Sequence, residues 1–338
     1  MSELAGALWN VVVVGLLGSA VFSAIAVWFE RKATARVQRR IGPLWVSARA
    51  GGILQPLADL IRLARQPPVL PREAHKPVLV MLTVLAFVAS LAPVFVLPMT
   101  SVERYAPLSS TSYTLFLALA IAVLASLPIV FMGWASGNKF AVIGSLRESY
   151  ILITYEVVML ASIVSAVVLA GTLDVVEIVE FQKQHLWIAL MNPLSLAALV
   201  LAMFLASSSF PFEIAESETD VVAGPYTELS GVLYALSMAS VYVKRYAYSV
   251  IASIVFLGGW DPIEPSGGLA MSLAAPTLVV LFKALLVMLF ASTTRAVYGR
   301  LRLDQALDVA WRVGVPLAVA AIAWSAVLRA LLMVTGYG

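Results

Sequence analysis

The chain has 338 residues, of which 61% are hydrophobic and 12% charged. A soluble domain carries about twice that charged share, so the composition excludes one and points to an integral membrane protein. With no cysteine and only His75 and His185, the chain cannot hold an iron–sulfur cluster or a thiolate zinc site, and a haem bound by several histidines is not expected.

A spanning helix needs about 20 mostly apolar residues. Eight runs meet that length: 8–29, 78–98, 113–134, 151–171, 189–209, 229–257, 270–294 and 312–334. The predicted fold is therefore an all-α membrane protein, a single integral membrane domain over residues 1–338. The first run has no basic segment before it and no small-residue cleavage site after it, so it reads as a permanent anchor.

The longest loop, 30–77, holds ten of the 22 Lys and Arg residues. Lys139, Arg147, Arg295, Arg300, Arg302 and Arg312 fall on the same side. Arg104, Lys183 and Arg329 fall on the other. The positive-inside bias puts loop 30–77 in the cytoplasm and both termini outside the cell membrane. Within that loop, residues 51–65 are amphipathic. Gln55, Asp59 and Arg62 recur at i, i+4, i+7 as one polar stripe, and Pro56 sits near the start, where a missing N–H costs nothing. A short helix lying in the interface plane is expected, in addition to the eight spans.

Run four contains Tyr155-Glu156, about two turns inside the expected span. Run six carries Lys244-Arg245 and run seven Lys283. Acids and bases inside spans mark polar paths more often than chance, because each is costly next to lipid. The bland alternative is a set of isolated neutralising pairs. Gly137 and Gly144 read as turn punctuation. Asp174, Glu177 and Glu180, three apart, read as a solvated surface helix.

The most informative stretch is 210–231. It carries Glu213, Glu216, Glu218, Asp220 and Glu228 with no Lys, Arg or His, between two apolar runs. Like charges this close raise one another's pKa, so part of the cluster is expected to hold protons near neutral pH. Helical spacing would put Glu213, Glu216 and Asp220 on one face, with Glu218 pointing elsewhere.

Three segments resemble one family. They are Glu-Arg-Lys-Ala-Thr-Ala-Arg-Val-Gln-Arg-Arg-Ile-Gly-Pro (30–43) followed by Leu-Gln-Pro-Leu-Ala-Asp (54–59); Pro-Phe-Glu-Ile-Ala-Glu-Ser-Glu-Thr-Asp-Val-Val-Ala-Gly (211–224) with Thr-Glu-Leu-Ser-Gly (227–231); and Arg-Ala-Val-Tyr-Gly-Arg-Leu-Arg-Leu-Asp-Gln (295–305). In this order they resemble the membrane subunit of respiratory complex I on which the peripheral redox arm docks, the H subunit in bacterial nomenclature.

The resemblance implies a non-redox subunit of a proton-translocating quinone oxidoreductase, not catalytic alone, with a diffusible quinone as the cofactor and no metal or cluster bound by this chain. Its partners would be the iron–sulfur and large subunits of the peripheral arm, other membrane subunits including antiporter-like ones, and lipid. Carried over by position, Glu30, Arg31, Arg39, Asp59 and Arg62 border a quinone tunnel. Glu156, Glu213, Glu216, Glu218, Asp220 and Glu228 form a carboxylate relay, which Lys244, Arg245 and Lys283 extend on this chain's own charge pattern. Arg295, Arg300 and Asp304 contact the peripheral arm.

Three departures stand out. Ser208-Ser209 replaces an Asn-Arg pair that many members have, bases replace an acid around 244–245, and the spacer between Ile-Gly-Pro and Leu-Gln-Pro is slightly longer. Membrane-bound hydrogenases and sulfur-reducing complexes use a homologous subunit, and Gly-Pro-Tyr-Thr-Glu-Leu-Ser-Gly (224–231) also resembles that branch. A stand-alone ion-coupled transporter would need related halves with broken helices, and no such repeat is visible.

Overall fold

The computed structural model describes residues 6, 8–101, 113–263 and 269–335. Arg104 lies outside them. Every regular element among the described residues is helical. Helix α1 (Trp9–Val37) opens with π-type turns. It is followed by α2 (Gln55–Arg65), α3 (Lys76–Val96), α4 (Thr114–Ala135) and α5 (Lys139–Ala170). Next come α6 (Val175–Gln184), α7 (Pro193–Ala206), α8 (Gly231–Phe256), α9 (Leu269–Val297) and α10 (Leu303–Thr335).

Six of these helices, α1, α3, α4, α5, α9 and α10, are long and apolar enough to cross a membrane. The remaining two expected spans differ for physical reasons. Run 189–209 is broken at Asn192, whose side chain accepts from Ser195 N and starts a new helix at Pro193. That leaves a short Ile188–Met191 turn and the 14-residue α7, which rises only about 21 Å. Run 229–257 is long enough as α8, but Lys244, Arg245 and several tyrosines and serines lower its apolarity.

Helix α8 tolerates those residues because protein surrounds it. Every residue from Val243 to Phe256 is buried. It packs on α3, α9 and α1, while α5 packs on α10 and α7. Tyr246, Tyr248 and Phe256 fill the space between these groups. A second apolar cluster, with Leu79, Leu82 and Met132, seats Tyr226 and Leu229 at the end of the acidic loop.

Helix α5 begins twelve residues before the apolar run that announces it, at Lys139 rather than 151. Asn138 caps it by accepting from Phe140 N. Gly137 is indeed a turn residue, with φ at +69°. Gly144 is not. It lies inside α5, where the acidic loop crosses the helix. A Cβ there would meet Gly224 Cα at 2.5 Å and Ala215 O at 2.9 Å. Only a residue without a side chain lets the two backbones approach this closely.

The amphipathic helix forms as expected, starting at Gln55 rather than 51. Its apolar residues Leu57, Leu60 and Ile61 are about half exposed, while Asp59 turns toward α1. Asp174 caps α6, as its place before the helix suggests.

The contact at Gly144 makes a clear expectation. Gly144→Ala should destabilise the fold by about 1–3 kcal/mol, because backbone rather than a flexible side chain blocks the added methyl. Thermal unfolding in detergent measures it. Gly299→Ala, where nothing lies within 4 Å of the added methyl, is the control and should change little.

Candidate functional site: a carboxylate cluster on the first half of helix α5

The acidic loop between α7 and α8 lies against the N-terminal half of α5 and is fixed there at four levels. Asn138 Nδ2 donates to Glu228 Oε1 in a short hydrogen bond. Gly144 meets Gly224. Arg147 Nη1 pairs with Asp220 Oδ2 at 3.1 Å. Ser208 Oγ donates to Glu148 Oε2 at 3.5 Å. The N-terminal end of a helix carries partial positive charge, so an acid-rich segment is stabilised at that end.

The expected single acidic helix face does not form. Pro211 and the close packing of Ala215 under α5 keep 211–217 irregular, and the loop turns helical only briefly, at Glu218–Val221 and in a 3-10 turn at Gly224–Tyr226. The acids therefore diverge. Asp220 and Glu218 are exposed. The Arg147 hydrogen bond holds the Asp220 carboxyl below the usual range. Glu213 is partly buried, and burial pushes its carboxyl up against the pull of Arg295.

Glu216 is the extreme case. The residue is only partly buried. Burial first, and then Glu213 and Glu148, push it up to about 8. Among the described residues no Lys or Arg lies within ion-pair distance of it.

Beside the loop, Glu30 is buried at the level where α1, α8 and α9 meet. Arg245 Nη1 donates to Oε2 at 2.9 Å and Arg295 Nη1 to Oε1 at 2.6 Å. Each oxygen thus has its own guanidinium, from a different helix. Arg245 also donates to Ser292 Oγ at 3.3 Å and lies over the Tyr242 ring. Arg31 and Asp59 link α1 to α2 at 2.6 Å. This pair is half exposed and contributes at most about 1 kcal/mol. Arg39 and Arg62 are exposed and join none of these groups.

Lys244 faces Glu148 across the bundle, with Nζ to Oε1 at 3.8 Å. Its ammonium also donates to Ser126 Oγ at 3.1 Å, and that hydroxyl shares a 2.6 Å hydrogen bond with Tyr155. Glu148 is only 2% exposed. The sequence pattern conceals it, because it sits in the polar turns before the apolar run. Glu156 is different. It lies nearly five turns into α5 rather than two, is only partly buried, and has no ion-pair partner among the described residues.

Lys283 does not join this cluster. It lies toward the opposite end of α8, where Leu257 O, Gly259 O and Asp261 O accept from its ammonium at 2.6, 2.9 and 2.7 Å. Trp187 stacks below it. Arg300 donates to Thr219, and Arg302 pairs with Asp304 at 2.9 Å. Together with Arg147 and Asp220 they line a cleft of about 420 Å³ beside the acidic loop. Of the three residues expected at a partner surface, Arg295 is turned inward to Glu30, while Arg300 and Asp304 border this cleft.

Fold and site together define a multi-pass α-helical membrane protein. It has a carboxylate cluster at one end, graded from ion-paired to unpaired. The sequence comparisons agree. A family model described as NADH dehydrogenase matches residues 10–326. The H subunit of NADH-quinone oxidoreductase from Aquifex aeolicus is 34% identical over 315 residues, covering 90% of this chain and 91% of that protein. The H subunit from Geobacillus kaustophilus is 33% identical over 309 residues, covering 91% and 90%. That from Geobacillus thermodenitrificans is 32% identical over 326 residues, covering 96% and 93%. This chain belongs to the NADH dehydrogenase family and is a homologue of the H subunit of complex I.

The Glu216 carboxyl gives a signed pH dependence. Its position near 8 lies above the ordinary 4.5. Between those values the folded chain keeps a proton that an unfolded one releases, so stability falls as pH rises through this window. In Glu216→Gln that slope should be shallower, read as thermal unfolding midpoint against pH in detergent.

Proposed function

We propose that this chain is the quinone-site membrane subunit of a proton-translocating complex I-like oxidoreductase. It would be a single membrane domain over residues 1–338. Helix α8, and α7 together with the short helix before it, would add two crossings to the six apolar ones. The sixteen Lys and Arg residues gathered toward the acidic-loop side support a cytoplasmic position for that side, with both termini outside.

In this reading electrons reach the junction through iron–sulfur subunits of a peripheral arm and reduce a quinone beside this chain. Glu30, Arg31, Arg39, Asp59 and Arg62 border the quinone path. The outward apolar face of α2 suits entry of a lipid-soluble molecule from the membrane. Arg300 and Asp304, on the cleft beside the acidic loop, would meet the peripheral arm. Charge arriving at the quinone then alters protonation in the acidic loop, and Glu156 and the other membrane subunits respond in turn.

The observation that carries this reading is Glu216. A partly buried carboxyl without an ion-pair partner among the described residues, pushed up to about 8 and electrostatically tied to Glu213 and Glu148, changes its proton occupancy in response to a nearby charge. A carboxylate locked in an ion pair would not. The names of the relatives favour quinone as the acceptor over the hydrogenase alternative.

The test is Glu216→Gln in the assembled complex, with quinone turnover and proton pumping measured together. Turnover coupled to pumping is expected to fall at least about tenfold, the lower range for removing a proton-transferring group. If both rates stay at the wild-type level, the acidic loop is not on the coupling path.

A further inference from the structure

Glu148 is a buried acid that the sequence motifs did not single out. Its two oxygens are treated differently. Oε2 accepts from Ser208 at 3.5 Å, at the start of the acidic loop. Oε1 faces Lys244 at 3.8 Å, too long for a hydrogen bond, and has no hydrogen-bond partner. Compare Glu30, where guanidinium groups satisfy both oxygens at 2.9 and 2.6 Å. A buried pair that served only structure would be expected to close to hydrogen-bond distance, because its Coulombic gain must offset the desolvation of both ions. This one stays open at 3.8 Å, while the ammonium of Lys244 donates to Ser126 Oγ at 3.1 Å.

The position is equally specific. Glu148 lies one residue from Arg147, which anchors Asp220, and one helical turn from Gly144, which seats the loop on α5. Its charge is felt by Glu216. The same α5 helix carries Glu156 two turns further on.

We propose that Glu148 is a relay residue, the first proton acceptor inward of the acidic loop, with Lys244 as the counter-charge that sets its occupancy. The inference rests on the reading of the loop as a relay. In the step assigned to it, the O–H bond of the Glu216 acid breaks and one O–H bond forms on the Glu148 carboxylate. Negative charge thereby moves from Glu148 to Glu216. Lys244, no longer facing an anion, keeps its hydrogen bond to Ser126, whose hydroxyl is already paired with Tyr155.

Three variants in the assembled complex in native membranes test this: Glu148→Gln, Glu148→Asp, and the double variant Glu148→Gln/Lys244→Met. The double variant removes both members of this buried pair. It therefore remains informative if the single Gln variant fails to assemble because Lys244 is stranded. If Glu148 carries a proton, the double variant assembles and still loses coupled quinone turnover at least about tenfold, and Glu148→Asp recovers part of it. If the double variant regains wild-type turnover, Glu148 merely neutralises Lys244 and the proposal is overturned. Glu216→Gln measured alongside separates the two levels. Normal turnover there removes the relay itself. A depressed Glu216→Gln beside a normal double variant removes only the role of Glu148.

Discussion

A carboxylate taken out of water must either find a cation or keep its proton, because an isolated buried anion is too costly. Three acids at one end of this molecule meet that constraint in three ways. Glu30 has a separate arginine on each oxygen, and with them it ties α1, α8 and α9 together. Glu148 has one lysine at a distance too long for a hydrogen bond. Glu216 has no ion-pair partner among the described residues and is pushed up to about 8. The series runs from a fixed charge to a labile proton within one region, which is the property a proton-linked device needs.

The geometry that permits this comes from α5 and α8. Helix α5 extends well past its apolar run, and its polar first turns form a platform for the loop. The missing side chain at Gly144 lets the loop backbone settle against the helix. From there Asn138, Arg147 and Glu148 reach Glu228, Asp220 and Ser208. Helix α8 brings Lys244 and Arg245 into the centre side by side. Adjacent residues on a helix point about 100° apart, so one base meets Glu148 from α5 and its neighbour meets Glu30 from α1. Lys283, on the next helix, is spent on three backbone carbonyls at the turn after α8, and so holds that turn rather than adding to the cluster.

Much of the fold was legible in the sequence because hydropathy is a strong local signal. The amphipathic stripe of Gln55, Asp59 and Arg62 located α2, and the acid-rich stretch without bases located the site. Legibility ended at the polar ends of helices. Counting only the apolar part of α5 made Gly144 look like a turn and hid Glu148. The missed signal was Asn138, a good helix-capping residue followed by an unbroken run free of proline. The divergence of Glu213, Glu216 and Asp220 was also out of reach. A helical projection assumes a helix, and tertiary contact with α5 holds residues 211–217 in an irregular path. The pairing of Lys244 with Glu148 required knowing which helices touch, which spacing within one helix does not reveal.

Glu216 is proposed to hold a proton which it exchanges in response to charge at the quinone. Redox-induced infrared difference spectroscopy of the assembled complex reads protonated carboxyl groups directly. A carboxyl band is expected that changes on quinone reduction near neutral pH, disappears from the difference spectrum in Glu216→Gln, and is lost as the pH is raised past about 8. An identical difference spectrum in wild type and Glu216→Gln would contradict it, and would leave the acidic loop as a structural seat on α5.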